Sequence, residues 1–306
     1  MAFPREGQSR GEMSPLVTRR DLLKGAAQVG VGLAASAVAL GRAVPSGASR
    51  VVLVRDPEVL GTEGQIREEV LGRMLDQGLQ ALLGIEDARA AWASLVRPEE
   101  TVGIKSNVWH YLPTPKELEN AIGRRLVEIG VSRERLAVDD RGVLGNPVFQ
   151  KATSLVNVRP LRTHFWAGIG GCIKNYIMFV PDPSSYHPDG CAHLGAIWHK
   201  PMVRGKTRLN VLCALTPQFY GRGPHFFDRR YLWPYCGLIL GRDPVSVDAV
   251  GARLLAAKRL EHFGEERPLD VTPHHIEVAD RIYGLGTSDL SRVELLHLGW
   301  SEEALL

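Results

Sequence analysis

The feature that most constrains the fold is a strand, helix, strand succession between residues 101 and 139. Thr101-Val102-Gly103-Ile104-Lys105 is a β-branched, apolar run that ends in the polar residues Lys105, Ser106 and Asn107. After a loop holding Trp109, His110 and Tyr111, Thr114 is placed to cap a helix, with Pro115 at its first position and Glu117 completing a capping box. Leu118, Ile122 and Leu126 continue as one buried stripe up to Gly130, and residues 136–139 read as the next strand. Elements at these intervals build an α/β fold, a mainly parallel sheet flanked by helices.

The same grammar extends outward. Residues 50–54 are a short β-branched run suited to an interior strand. Beyond Thr62, Ile66, Val70, Leu71, Met74, Leu75, Leu79 and Leu82 make a helical stripe with a stop at Gly84. In the second half, residues 208–215 and 236–240 read as strands, and Asp243 caps a helix opened by Pro244 and continued by Val247, Val250 and Leu254. The long connections at 164–204 and 216–234, rich in Gly, Pro and aromatics, are expected to form pocket walls. Strand order has no signature in the sequence.

The chain opens differently. Thr18-Arg19-Arg20-Asp21-Leu22-Leu23-Lys24 leads into a weakly apolar stretch at residues 25–40, which resembles a twin-arginine export signal. The stretch is shorter and richer in glycine than a membrane span. We read residues 1–48 as the leader and 49–306 as a single α/β domain. The implied partner is the twin-arginine translocation machinery, and the implied location is periplasmic or extracytoplasmic, with no permanent membrane span once the leader is cleaved. Residues 1–48 carry six Lys or Arg and three Asp or Glu, which leaves 31 of each sign from the totals of 37 and 34. A charge-balanced mature chain has no global field to attract nucleic acid.

Several segments resemble domain-of-unknown-function family 362. Val102-Gly103-Ile104-Lys105-Ser106-Asn107 is similar to its strand-end Lys-x-Asn element, and Pro113-Thr114-Pro115 to the turn that opens its next helix. Ala137-Val138-Asp139-Asp140-Arg141-Gly142 resembles its acidic turn, and His164 with residues 168–175 resembles its histidine, glycine-rich and Lys-Asn segment. Gly241-Arg242-Asp243-Pro244-Val245-Ser246-Val247-Asp248-Ala249 is similar to its late Gly-x-Asp-Pro-Val signature. The ordered set runs from about residue 50 to about residue 260 and implies a common fold and pocket. The chain departs from many relatives in lacking the closely spaced cysteines of an iron–sulfur domain, and in carrying Ala214-Leu215-Thr216 where they place an acidic residue.

The candidate chemistry gathers at strand ends and glycine loops. Lys105 with Asn107, and Lys174 with Asn175 after Gly168, Gly170 and Gly171, pair a cation with an amide, which suits a carboxylate or phosphate. A salt bridge and a loop-fixing hydrogen bond would use the same residues. Arg222 is a further anion-binding candidate, set in an aromatic segment with Tyr220, Phe226, Phe227, Tyr231, Trp233 and Tyr235 that reads either as a stacking wall or as a packed cover. Asp139, His164 and Asp248 are the catalytic candidates, with turn capping or a structural role as their alternatives. His187, Cys191, His193 and His199 are the densest set of borderline ligands and suit zinc or iron. Cys172, Cys191, Cys213 and Cys236 allow two disulfides in three pairings, or buried thiols. The leading expectation is an exported enzyme with an anion-recognising pocket; the histidine set is open to a metal or to a glycine- and proline-rich loop that collects histidines without one. A non-enzymatic ligand- or metal-binding maturation factor and a structural interaction protein are its rivals.

Overall fold

The computed structural model of the protein describes residues 48–221, 223 and 227–306. The twin-arginine segment and Arg222 lie outside these described residues. Eight strands form one sheet: β1 (Ser49–Arg55), β2 (Val102–Lys105), β3 (Leu136–Asp139), β4 (Ser154–His164), β5 (Gly168–Gly170), β6 (Thr207–Gln218), β7 (Gly237–Gly241) and β8 (Val293–Gly299). Their order is β3-β2-β4-β6-β7-β1-β8, with β5 paired to β4. The β2–β3, β2–β4, β4–β6 and β1–β8 pairs are parallel. Only β7, between β6 and β1, and the short β5 run against them.

Both faces of the sheet are covered, so its strands are apolar on both sides. On one face Val52, Val54, Val102, Ile104, Val156 and Val158 meet the helices Glu68–Leu83, Ala88–Leu95 and Lys116–Glu128. On the other, Val51, Leu53, Leu155, Leu212 and Ile239 meet the helix Pro244–Phe263 and the aromatic side chains Tyr176 and Trp198. Val51 and Val52, and again Leu155 and Val156, fall into opposite cores because successive strand residues point to opposite faces.

The strands expected at 50–54, 136–139, 208–215 and 236–240 are present within a few residues of those bounds. Two local expectations fail. The first helix begins at Glu68, with Arg67 before it, because Ile66 is taken up in a bridge to Leu60 rather than in the helical stripe. Thr114 does not cap the helix that follows it; its hydroxyl accepts the backbone N–H of Asn107, and Pro115 occupies the cap position. The Asp243 cap is as expected, its carboxylate accepting the N–H groups of Val245 and Ser246.

The chain leaves β2 for β3 on one side and returns to β4 on the other. Such a reversal opens a crevice at the carboxyl ends of the strands. Strand β4 adds a second device there. Its register with β6 shifts between Pro160 and Arg162, where proline leaves no N–H for the ladder. In a regular strand Arg159 and Arg162, three residues apart, would point to opposite faces. With the shift, both line the same cavity.

Gly103 sits in β2 where an added Cβ would lie 2.7 Å from the Phe149 ring and 2.9 Å from Leu155. Neither neighbour has room to withdraw, since both are fully buried. Gly103→Val should therefore cost about 1–3 kcal/mol of stability, as overpacking does, measured as a lower urea midpoint with unchanged slope. An unchanged midpoint would show that this contact yields.

Candidate functional site

The crevice holds a cavity of about 200 Å³ lined by residues that include Asn107, Trp109, Asp140, Arg159, Arg162, His164, Lys174, Asn175 and His187. Two larger grooves, of about 300 and 350 Å³, flank the helix Lys116–Glu128, but their charges are satisfied by pairs such as Arg125 with Asp76 at 2.6 Å. The crevice differs in kind. Lys105, Arg159, Arg162 and Lys174 are all buried there, against the carboxylates of Asp140 and Asp248.

Lys105 lies behind the cavity wall, its Nζ 2.5 Å from Asp140 Oδ1 and 2.7 Å from the Ser106 carbonyl. Burial pulls its pKa down to about 8, against the opposing pull of Asp140. Burial pushes Asp140 up, yet Lys105 and the Val108 N–H outweigh it and hold the carboxyl below its ordinary value. Lys105 and Asn107 consequently do different work. The amine neutralises Asp140, while Asn107 Oδ1 accepts from Arg162 Nη2 at 3.3 Å.

The guanidinium groups are the unsatisfied chemistry of the cavity. Nε of Arg159, and Nε and Nη1 of Arg162, are buried without a protein acceptor. Arg162 also lies over the Trp109 ring, 4.4 Å from its centroid. Burial depresses the pKa of both, and each side chain feels the other's field or that of its neighbours. An arginine does not escape this by losing its proton, so an oxyanion is the natural partner.

His164 is buried, and its Nδ1 accepts the Trp166 N–H at 3.2 Å. Burial first, then Lys174 and the arginines, push its pKa well below the ordinary histidine value. The neutral ring therefore carries its proton on Nε2 and is a donor, not a base. Lys174 lines the cavity with its Nζ 3.4 Å from Cys191 Sγ, and burial lowers its pKa to about 8. Asn175 also lines the cavity, held through its Nδ2 by Lys105 O, Val158 O and Asn157 Oδ1.

Two catalytic candidates are placed elsewhere. Asp139 accepts from the Gly142 N–H and Asn146 Nδ2 and so fixes the turn after β3; its neighbour Asp140 is the one that enters the crevice. Asp248, on the helix Pro244–Phe263, accepts the Cys172 and Ile173 N–H groups at 2.6 and 2.9 Å. Burial raises its pKa to about 7 against those two donors. It holds the turn that presents Lys174 and Asn175 from behind. Gly168 and Gly170 lie in β5 and Gly171 caps the turn after it, and they permit close packing instead of cradling an anion: a Cβ on Gly171 would lie 2.4 Å from Asp248, and one on Gly170 2.5 Å from Arg162 Nη1.

The four proposed metal ligands do not converge. His187 lies at the cavity edge against Trp166, and Cys191 lies beneath it beside Lys174. His193 and His199 instead bond Tyr283, through its hydroxyl at 2.9 Å and its carbonyl at 3.0 Å. Among the described residues no group of three or more His, Cys, Asp or Glu is arranged to hold a metal ion. The short, kinked turns from His187 to His199 separate residues that are close in sequence. All four cysteines are unpaired, buried thiols rather than disulfides. Most of the aromatic segment is packed cover: Trp233 and Tyr235 are buried, and Tyr235 stacks on Arg55. Phe227 alone of its described members reaches the site, stacking on Tyr111 beside Trp109.

Arg159, Arg162 and Trp109 join the site without having stood out as candidates in the sequence, whereas Asp140 was one of the two adjacent carboxylates at the strand end from which a side chain could enter the crevice. The available signal was two arginines in Val158-Arg159-Pro160-Leu161-Arg162, an otherwise apolar run.

Fold and site together define an α/β protein with a cationic pocket at the carboxyl ends of parallel strands. Residues 119–253 match the family model described as Domain of unknown function (DUF362). The match spans Asp140, Arg159, Arg162, His164, Lys174, Asn175 and Asp248, and supports the resemblance seen in the sequence motifs. No curated protein and no solved structure matches the chain.

The two neighbouring aspartates should separate cleanly. Asp140→Ala strands Lys105 without its counter-ion and should cost about 3–5 kcal/mol at a pH low enough to keep Lys105 charged in both proteins, a loss that shrinks as pH rises toward about 8, because without the upward pull of Asp140 the variant's Lys105 sheds its proton earlier than the parent's. Asp139→Ala removes a turn acceptor and should cost about 1 kcal/mol at any neutral pH. Urea denaturation of both variants at two pH values checks the assignment, and equal losses would refute it.

Proposed function

We propose that the protein is an exported enzyme whose pocket binds a small oxyanion through Arg159 and Arg162 and moves a proton with Lys174. The observation that carries this reading is the set of buried guanidinium N–H donors with no protein acceptor, all on residues lining one cavity. Two planar donors at one site favour a carboxylate or phosphoryl group over a halide. Lys174 is the proton carrier because its pKa, lowered by burial to about 8, lies near working pH. His164 supplies a further donor from Nε2. Asp248 positions the Lys174 turn without lining the cavity. A carrier that holds the anion without turnover is favoured by the engagement of His164 Nδ1, which removes one candidate base.

Binding of phosphate, sulfate or acetate, followed by isothermal titration calorimetry, tests the pocket. Arg162→Gln should weaken whichever binds by about 10- to 100-fold, the worth of a charge-assisted bond of about 1.5–3 kcal/mol, with circular dichroism unchanged. Affinity in the parent protein should fall as pH rises through about 8, where Lys174 loses its charge. Binding that is indifferent to Arg162→Gln would remove the basis for the anion reading.

The address rests on Arg19 and Arg20 in the leader. Replacing both, Arg19→Lys with Arg20→Lys, should leave the chain in the cytoplasm. Fractionation of producing cells gives the answer, and continued export would count against the twin-arginine route.

A further inference from the structure

We propose that the ligand of this pocket is an oxyanion that bears its own hydroxyl, and that this hydroxyl donates to Asn175 Oδ1. The inference builds on the reading of the cavity as an anion site. Its ground is a ladder of three buried asparagines whose amide orientations are fixed from the far end. Asn210 Nδ2 lies against two carbonyls, those of Gly241 and Arg242, so its Oδ1 must face Asn157. Asn157 therefore turns its Nδ2 to Asn210 Oδ1 at 2.9 Å and to the Cys172 carbonyl at 3.0 Å, and its Oδ1 to Asn175. Asn175 Nδ2 in turn meets Asn157 Oδ1 at 2.8 Å and the carbonyls of Val158 and Lys105 at 3.0 and 3.1 Å.

Rotating the Asn175 amide would set its oxygen against three acceptors, so the observed orientation is the only one the ladder allows. Asn175 Oδ1 is left as a buried acceptor with no protein donor, on a residue that is 1 % exposed and lines the cavity. A buried polar atom without a partner costs about 1–3 kcal/mol. Every other unsatisfied group named in this wall is a cationic donor. The wall thus asks for one molecule that offers negative oxygen to the guanidinium groups and an O–H to the amide. A fully deprotonated oxyanion answers only the first request. The cavity of about 200 Å³ is smaller than the roughly 300–1,000 Å³ typical of drug-sized ligands, which keeps the molecule small. Protonated phosphate and a short hydroxy acid share the required chemistry.

Calorimetry on the unmodified protein with two matched pairs tests this. Near neutral pH, phosphate keeps a proton that sulfate lacks, and glycolate has the hydroxyl that acetate lacks. The hydroxyl-bearing member of at least one pair should bind about tenfold or more tightly. Preference for phosphate alone identifies a phosphoryl ligand, and preference for glycolate alone identifies a hydroxy acid. Equal binding within both pairs overturns the inference and leaves the anion site standing; failure of all four to bind overturns both. Asn175→Ala should erase the preference within the pairs. Should that variant not fold, the matched pairs decide the matter by themselves.

Discussion

Positive charge buried in excess of negative charge is the constraint on which the rest of the site depends. An isolated ion in a protein interior costs several kcal/mol even after relaxation, and four cations are buried around this crevice. The lysines have two ways out. Lys105 takes Asp140 as counter-ion, and both Lys105 and Lys174 have pKa values near 8, so each sheds its proton at modest expense. Arginine has neither escape at accessible pH. The guanidinium groups of Arg159 and Arg162 keep their charge, and only solvent or a bound anion in the cavity can complete their hydrogen bonds.

This explains why the site is built where it is. Parallel strands end together at one edge, and the reversal around β2 parts the connections there. The irregularity in β4 brings two arginines to one cavity at the expense of a regular ladder. Trp109 covers one face of Arg162, and its neighbours Tyr111 and Phe227 stack above the loop. Stacking leaves the in-plane N–H donors of the guanidinium free to meet a ligand.

The sequence carried the alternation of strands and helices because their apolar periodicities are local. β1, β3 and the Asp243 cap were legible in this way. β4, at 11 residues the second longest strand, was not. Its Asn157, Arg159, Pro160 and Arg162 break both the apolar run and the alternation that mark a strand. The same polar residues supply much of the site, so the element hardest to read was the one richest in function. Asp139 and Asp140 illustrate a second limit. Which of two adjacent carboxylates enters a crevice depends on the turn after β3, where Gly142 and Asn146 engage the first and leave the second to Lys105. The His187 to His199 set does not gather in one place because nearness in sequence is not nearness in space when the chain turns through left-handed residues at Asp189, Gly190 and Cys191.

The wall behind the cavity is as specific as its lining. Asp248 accepts two successive N–H groups with its two oxygens, which a carboxylate does and an amide does not, since an amide's NH₂ would face one of the donors. The asparagine ladder ties the same turn to β4 and, through Asn210, to the end of β7. Lys174 and Asn175 are therefore held from the helix on one side and from three strands on the other. Side chains fixed in this way do not collapse onto one another when charged neighbours repel, and preorganised donors lose little freedom on meeting a ligand. The unsatisfied donors and the unsatisfied amide oxygen of Asn175 on the cavity wall then follow from a scaffold that holds them apart, in an arrangement complementary to a molecule with both kinds of oxygen.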